Sequence, residues 1–285
     1  MAVADSVDST VDFIPVTDRP SVLAHPVFGP GRRAAEVVSN ERLTDGVYRL
    51  VVRDAHLTRA KAAQFANLYP SDPSKVMPRP FGVAEVDAEA GLVSFVFAVV
   101  GKGTADFSRL RPGDTVDVFG PLGKGFDMAA PGEYLLVAGG LGVPPLLRAA
   151  QQLAGRADAS ATALIGYRDA RFADRLMGRF ADRVMSITNA EGNVIDLLDQ
   201  WLDARGGAVT GEDGSLPAIL SCGPHPMMQA VARWAREHGI DAQLSLEARM
   251  GCGYGACVMC VTPTEGGLRK VCLDGPVFRA SELGW

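Results

Sequence analysis

The stretch "YLLVAGGLGVPPLLRAAQQLAG", Tyr134 to Gly155, decides the fold class. Its first part is an unbroken apolar run of strand length that ends in glycine; its second part places apolar residues at helical spacing and stops at another glycine. A strand apolar on both faces must be covered on both, which is the situation inside a parallel sheet flanked by helices. Gly139, Gly140 and Gly142 form the turn between the two parts, and a helix starting near Pro144 or Pro145 leaves free amides there that can hold a pyrophosphate. The turn is not a G-x-G-x-x-G fingerprint, and a glycine-rich turn also serves simple close packing.

Reading outward toward the C-terminus, "SATALIGY", "RVMSIT" and "PAILSCG" are further buried strands, with the helical stretches "NVIDLLDQWLDA" and "HPMMQAVARWAREHG" between and after them. Residues 131–240 are therefore expected to form an α/β domain with a parallel sheet. Its last strand runs into Cys222, Gly223 and Pro224, where a ligand would cross the carboxyl ends of the strands. A buried small hydrophobe is the plain alternative for Cys222.

Toward the N-terminus the texture changes. "AAEVVSNERL", "GVYRLVV", "QFANLY", "PFGVAEV", "GLVSFVFAVV" and "DTVDVFG" are short β-rich runs bounded by Gly, Pro or Asp, and together they predict a small barrel over residues 34–130. In it "RPFGVAEV" puts Arg79 at a strand entrance, and "GKGTADFSRL" has Gly103 and Thr104 opening a short helix, a combination that can grip phosphate. A surface arginine and a capping threonine are the plain alternatives. Residues 1–33 are aperiodic and are read as a tail.

Across its 285 residues the chain is 47% hydrophobic and 21% charged with a net charge of −5, an ordinary globular composition of two modest domains and an appendage. The absence of a basic run removes nucleic acid as a partner, and no apolar run is long enough to span a bilayer. The acidic N-terminal stretch does not look like a secretory signal, so a cytoplasmic location with reduced thiols is expected.

Four of the five cysteines, Cys252, Cys257, Cys260 and Cys272, fall in the segment 241–285 with the spacing C-x4-C-x2-C-x11-C. The first three match a plant-type [2Fe-2S] loop, and Gly251, Gly253 and Gly255 let backbone amides turn toward sulfur. Four cysteines also suit zinc, although zinc sites usually offer two short C-x2-4-C pairs and one is present here.

The order R-P-F-G and G-T, then G-G-L-G-V-P-P, then C-G-P, then the cysteine loop resembles the ferredoxin-NADP reductase superfamily. "LEARMGCGYGACVMC", "VCLDGPVF" and "GPLGKGF" resemble its dihydroorotate dehydrogenase B electron-transfer branch. The resemblance implies an FAD-binding barrel, an NAD-binding α/β domain and a small [2Fe-2S] domain that docks on an FMN-containing catalytic subunit, in a heterotetramer of two of each. It implies an oxidoreductase component of pyrimidine biosynthesis that passes electrons from FMN through the cluster and FAD to NAD+. Carried over, Arg79, Pro80, Phe81 and Gly82 hold the flavin, Val96, Phe97 and Ala98 line it, Gly103 and Thr104 bind its pyrophosphate, and Cys222 lies near the nicotinamide. The four cysteines ligate the cluster, and no acid-base residue is required for the substrate itself.

The chain departs from the family where Gly82 replaces a usual Ser and Phe97-Ala98 a usual Tyr-Arg. Arg168 and Arg171 in "GYRDARF" could meet a 2'-phosphate, which leaves NADP as a possibility beside NAD. Two other functions fit parts of the pattern: a related reductase for sulfide, sulfite or ferredoxin chemistry, and a zinc-stabilised nucleotide-binding regulator.

Overall fold

The structure, a computed structural model, describes residues 31–72, 74–211 and 214–285. The expected N-terminal tail lies outside the described residues except for 31–33.

The first part of the chain supplies β1 (Arg33–Thr44), β2 (Val47–Arg53), β3 (Phe65–Tyr69), β4 (Arg79–Asp87), β5 (Leu92–Ala98), helix α1 (Lys102–Phe107) and β6 (Thr115–Leu122). Among the described residues, the six strands close into an antiparallel barrel in the order β1-β2-β5-β4-β3-β6. Side chains alternate across each strand, so the barrel is filled by residues such as Leu50, Leu68, Phe95 and Val118, all excluded from solvent.

The chain then lays down β7 (Gly132–Gly139), α2 (Val143–Leu153), β8 (Ala159–Tyr167), α3 (Asp174–Met177), β9 (Arg183–Thr188), α4 (Val194–Asp203), β10 (Ala218–Cys222), α5 (His225–Glu237) and β11 (Gln243–Ser245). The hairpin β12 (Val261–Thr264) and β13 (Gly267–Lys270) follows, then β14 (Val277–Arg279) and α6 (Ala280–Leu283). The second sheet has the order β14-β11-β10-β7-β8-β9, parallel throughout except for β14. Helix α2 covers one face through Leu146, Leu147, Ala150 and Leu153; α4 and α5 cover the other through Leu197, Leu198, Trp201, Val231 and Ala235. Both faces of β7 are thus dry, as its unbroken apolar run requires. The sheet draws β11 and β14 from beyond residue 240, and the cysteine-bearing stretch runs out and back between these two neighbouring strands.

The strand order reverses at β7, whose neighbours β8 and β10 are reached by crossovers in opposite directions, so a crevice opens above the ends of β7 and β10. Helix α2 also fixes the barrel against this crevice. β3 pairs with β4 from Arg79 to Gly82, which leaves the outer edge of β4 beyond that point without a strand partner. Gln151 of α2 takes the place of the missing strand: its amide donates to the carbonyl of Val86 at 2.7 Å and accepts the N–H of Val86 at 3.0 Å. Beside it Arg148 donates to the carbonyl of Ala60, and Gln152 accepts the N–H of Ala62. A buried carboxylate adds to the junction: Glu85 of β4 is paired with Arg49 of β2 and with Arg179, which follows α3. Among the described residues, no helix is long and apolar enough to cross a membrane.

Gln151→Ala is expected to lower the stability of the chain by about 1–3 kcal/mol, because it strands both backbone groups of Val86 at a part-buried junction. Urea unfolding of the two proteins measures this, and an unchanged midpoint would mean that water replaces the glutamine without cost.

Candidate functional site

Two adjoining cavities occupy the junction. The smaller, about 270 Å³, lies between barrel and sheet and is lined by Pro80, Phe81, Gly82, Val96, Phe97, Ala98 and Thr104 from the barrel side and by Pro144, Pro145 and Cys222 from the sheet side. The larger, about 1340 Å³, is the crevice above β7 and β10, lined by Gly139, Gly140, Gly142, Gly223 and Pro224 among others. Ala98, Leu141 and Glu247 line both, so the two spaces meet.

The barrel half is built on β4, β5 and α1. Phe81 and Phe97 stack at 5.3 Å and both meet Phe107 edge-on, which fixes the strand ends that face the cavity. Arg79 lies outside the lining, its guanidinium spread across Gly103; a Cβ on Gly103 would sit 2.7 Å from Arg79 Nε, so a side chain there would displace the guanidinium from this position. Arg79 and Gly103, distant in sequence, are therefore brought into contact by the fold.

 The structure thus places side by side two of the three residues expected to grip phosphate. Thr104 stands in the first turn of α1, not at its cap, which is Gly101. Its hydroxyl accepts the N–H groups of Val100 and Gly101, so it holds the turn that leads into the helix. At Gly82 a Cβ would lie in ordinary contact, 3.4 Å from Pro145 Cδ, so the site has room for the serine that the family usually carries.

In the sheet half, the turns after β7 and β10 are packed backbone on backbone. A Cβ on Gly142 would fall 2.0 Å from the carbonyl oxygen of Cys222, and one on Gly139 would strike Met227 Sδ and Pro224. Gly140 differs: its φ is +51°, nothing lies within 4 Å of a Cβ there, and it borders open crevice. The glycines thus divide between close packing at Gly139 and Gly142 and an accessible left-handed turn at Gly140. Cys222 is buried, and burial together with the Glu247 carboxylate pushes its thiol well above the usual range. Glu247 itself, at the junction of the two cavities, is raised by the protein mass around it. Motif reading passed over Glu247; the signal available was an acid two residues after the strand "QLS" and before the cysteine loop.

The four cysteines of the C-terminal segment meet in two pairs, Cys252 with Cys257 and Cys260 with Cys272. The N–H of Cys257 donates to Cys252 Sγ at 3.4 Å and that of Cys272 to Cys260 Sγ at 3.5 Å. Hydrogen bonds from the backbone around Cys252, Met259 and Gly251, and from the Cys252 side chain, pull the Cys257 thiol down to about 7. Burial pushes Cys272 up to about 12, with Cys260 beside it. Among the described residues, no three His, Cys, Asp or Glu side chains converge as the ligands of a single ion. Gly253 and Gly255 have φ of +78° and +88°, which lets the loop double back on the sulfurs. A cysteine-rich loop with amides turned toward sulfur fits an iron-sulfur cluster, whose sulfurs need hydrogen-bond donors.

The barrel holds this loop at successive residues. Met77 packs at Gly251, the buried Asn67 of β3 donates to the carbonyl of Cys252 at 2.8 Å and fills the space beside Gly253, and Phe119 of β6 meets Tyr254 edge-on at 5.6 Å. Met250, two residues before Cys252, lines the smaller cavity. Both cavities and the cysteine loop are therefore contiguous.

The iron-sulfur cluster binding domain of dihydroorotate dehydrogenase B matches residues 247–284 as a family. Over 259 residues the chain is 38% identical to the electron transfer subunit of dihydroorotate dehydrogenase B (NAD(+)) of Listeria monocytogenes, covering 87% of this chain and 97% of the relative. It is 34% identical to the subunit of the same name from Geobacillus thermodenitrificans, covering 89% and 98%. Among solved structures, an NADH-dependent reduced ferredoxin-NADP oxidoreductase studied for flavin-based electron bifurcation superimposes with a TM-score of 0.77 at 28% identity, over 88% of this chain and 90% of that one. A ferredoxin NADP+ reductase from Neisseria gonorrhoeae, with a TM-score of 0.62 at 16% identity over 76% of this chain and all of that one, shares the fold. These matches leave the sulfide, sulfite and zinc-regulator readings without support. The chain belongs to the family of electron-transfer subunits of NAD-dependent dihydroorotate dehydrogenase B, oxidoreductase components that work with a catalytic partner subunit.

Proposed function

We propose that the smaller cavity takes the isoalloxazine of FAD, the larger crevice takes NAD, and Cys252, Cys257, Cys260 and Cys272 hold a [2Fe-2S] cluster. The catalytic partner is then an FMN-containing dihydroorotate dehydrogenase subunit, assembled as two of each chain in the cytoplasm. The observation that carries the reading is contiguity: Ala98, Leu141 and Glu247 belong to both cavities, and Met250 joins the smaller one to the cysteine loop.

In this reading each group has a physical task. Arg79, held against Gly103, supplies a fixed cation for the flavin diphosphate, and the first turn of α1 supplies free amides beside it. Pro80, Phe81, Gly82, Val96, Phe97 and Ala98 form the apolar wall that seats the ring and excludes water. The amides of the turn Gly139–Gly142 face the dinucleotide diphosphate, with Gly223 and Pro224 as the opposite lip. Glu247 stands where crevice and flavin cavity meet, with Cys222 on the flavin side, the position at which a nicotinamide must approach. FAD, when bound, supplies the exchange between single electrons and hydride pairs that joins iron to nicotinamide.

Cys257→Ser is expected to lower cluster iron by more than about tenfold and to abolish coupling of dihydroorotate to NAD+ in the complex, while NADH still reduces FAD. Iron assay, visible spectra and stopped-flow reduction check this; a variant without iron that still reduces NAD+ with dihydroorotate at full rate would refute the relay.

Gly82→Ser is expected to tighten FAD binding by about 0.5–1.5 kcal/mol, since the Cβ fits beside Pro145 and the hydroxyl adds a hydrogen-bonding group to the cavity wall. Flavin fluorescence quenching on titration of the flavin-stripped protein gives the affinity. Equal binding by the two proteins would remove Gly82 from the flavin wall.

A further inference from the structure

The far end of the crevice is walled by the loops that follow β8 and β9. Arg168, Asp169, Ala170 and Phe172 line it from the first loop, and Asn189 and Gly192 from the second. Arg171 and Glu191, one in each loop, are missing from this lining although their chain neighbours on both sides or on one side belong to it. They are turned onto each other as an ion pair.

The pair is part of a network that leaves neither group free. Arg171 Nε donates to Ser186 Oγ at 2.9 Å, and Ser186 in turn donates to Asp174 at 2.6 Å, as does the hydroxyl of Tyr167. Glu191 accepts the N–H of Thr188 at 2.8 Å and its hydroxyl at 2.9 Å besides the Arg171 guanidinium. These bonds hold the Glu191 carboxyl below its usual range, the Thr188 backbone contributing most, so it stays ionised. Arg171 is consequently withdrawn from the crevice by a permanent counter-charge.

We infer that Glu191 determines the preference for NAD over NADP by holding Arg171 away from the ribose end of the crevice, where Asp169 remains to meet the 2'-hydroxyl. This rests on a nicotinamide nucleotide occupying the crevice. In a dinucleotide site on a parallel sheet, an acid beyond the second strand receives the ribose hydroxyl, whereas a nearby arginine receives a 2'-phosphate. Asp169 lies two residues past the end of β8, the second strand of this sheet in chain order. The charged groups of this end, Arg168 and Arg171 against Asp169, Asp174, Glu191 and Asp196, are two guanidinium groups facing four carboxylates. A 2'-phosphate brings nearly two further negative charges, and Arg168, the one cation among the described residues that lines this wall, is next in sequence to Asp169. A ribose diol, with hydroxyls that donate, suits such a wall.

The test uses the complex loaded with FAD and iron and two redox-inert probes, ADP-ribose and 2'-phospho-ADP-ribose, titrated calorimetrically. The wild type should bind ADP-ribose at least about tenfold more tightly than its 2'-phosphate. Glu191→Gln keeps an acceptor for Thr188 while releasing Arg171 from its counter-charge; it should gain about tenfold for the 2'-phospho ligand and hold ADP-ribose within about twofold. Adding Arg171→Ala should erase the gain, and Arg171→Ala alone should leave the wild-type preference. Equal binding of both probes by the wild type, no gain in Glu191→Gln, or a gain that survives the loss of Arg171 would each overturn the inference while leaving the crevice assignment standing. Failure of the wild type to bind either probe would overturn the crevice assignment and the inference with it.

Discussion

The double hydrogen bond between the Gln151 amide and the backbone of Val86 is the constraint on which the site depends. Helix α2 begins at the glycine turn that faces the crevice and ends against the barrel, so one rigid rod fixes both halves of the site. A loose helix would let the barrel rock and open the smaller cavity. By matching a side-chain amide to a peptide group, the fold extends β4 pairing beyond the end of β3 and ties the two sheets with directional bonds rather than apolar contact alone. The Arg49–Glu85–Arg179 cluster works in the same sense: removing Arg49 would leave the buried Glu85 carboxylate with only the half-exposed Arg179, which makes the junction specific rather than merely adhesive.

A second constraint is the closeness of the turns after β7 and β10. With Gly142 pressed on the carbonyl of Cys222, the lip of the crevice has no slack, and the amides that border it are fixed before any ligand arrives. Preorganised donors lose less freedom on binding, so the cost of ordering the loop is met by folding. Gly140, with open space beside it, lines the crevice together with Gly139 and Gly142 but is not itself pressed on backbone.

Much of this was legible because it is local. Strand runs of five or more residues, the turn at Gly139–Gly142 and the cysteine spacing each declare themselves within a short window, and the structure sets Arg79 against Gly103 and pairs Cys252 with Cys257 and Cys260 with Cys272. The parts that escaped are those whose meaning lies in long-range partners. β11 and β14 have three residues each, too few for a period to show, and acquire their identity from the sheet edge they complete. Asn67 looks like any polar residue in a strand until the fold sets it against Cys252, far along the chain. Arg171 could be read as a free cation until Glu191 was placed beside it.

The excursion between β11 and β14 has a modular consequence. Residues 246–276 leave and rejoin the sheet at strands that already touch, so this segment could be gained or lost in evolution without rethreading the domain. The barrel, however, has grown a matching face for it in Met77, Asn67 and Phe119. Topology makes the cysteine segment a detachable graft, whereas its contacts make it a committed one: a transplant into a related flavoprotein would need those three barrel positions to travel with it.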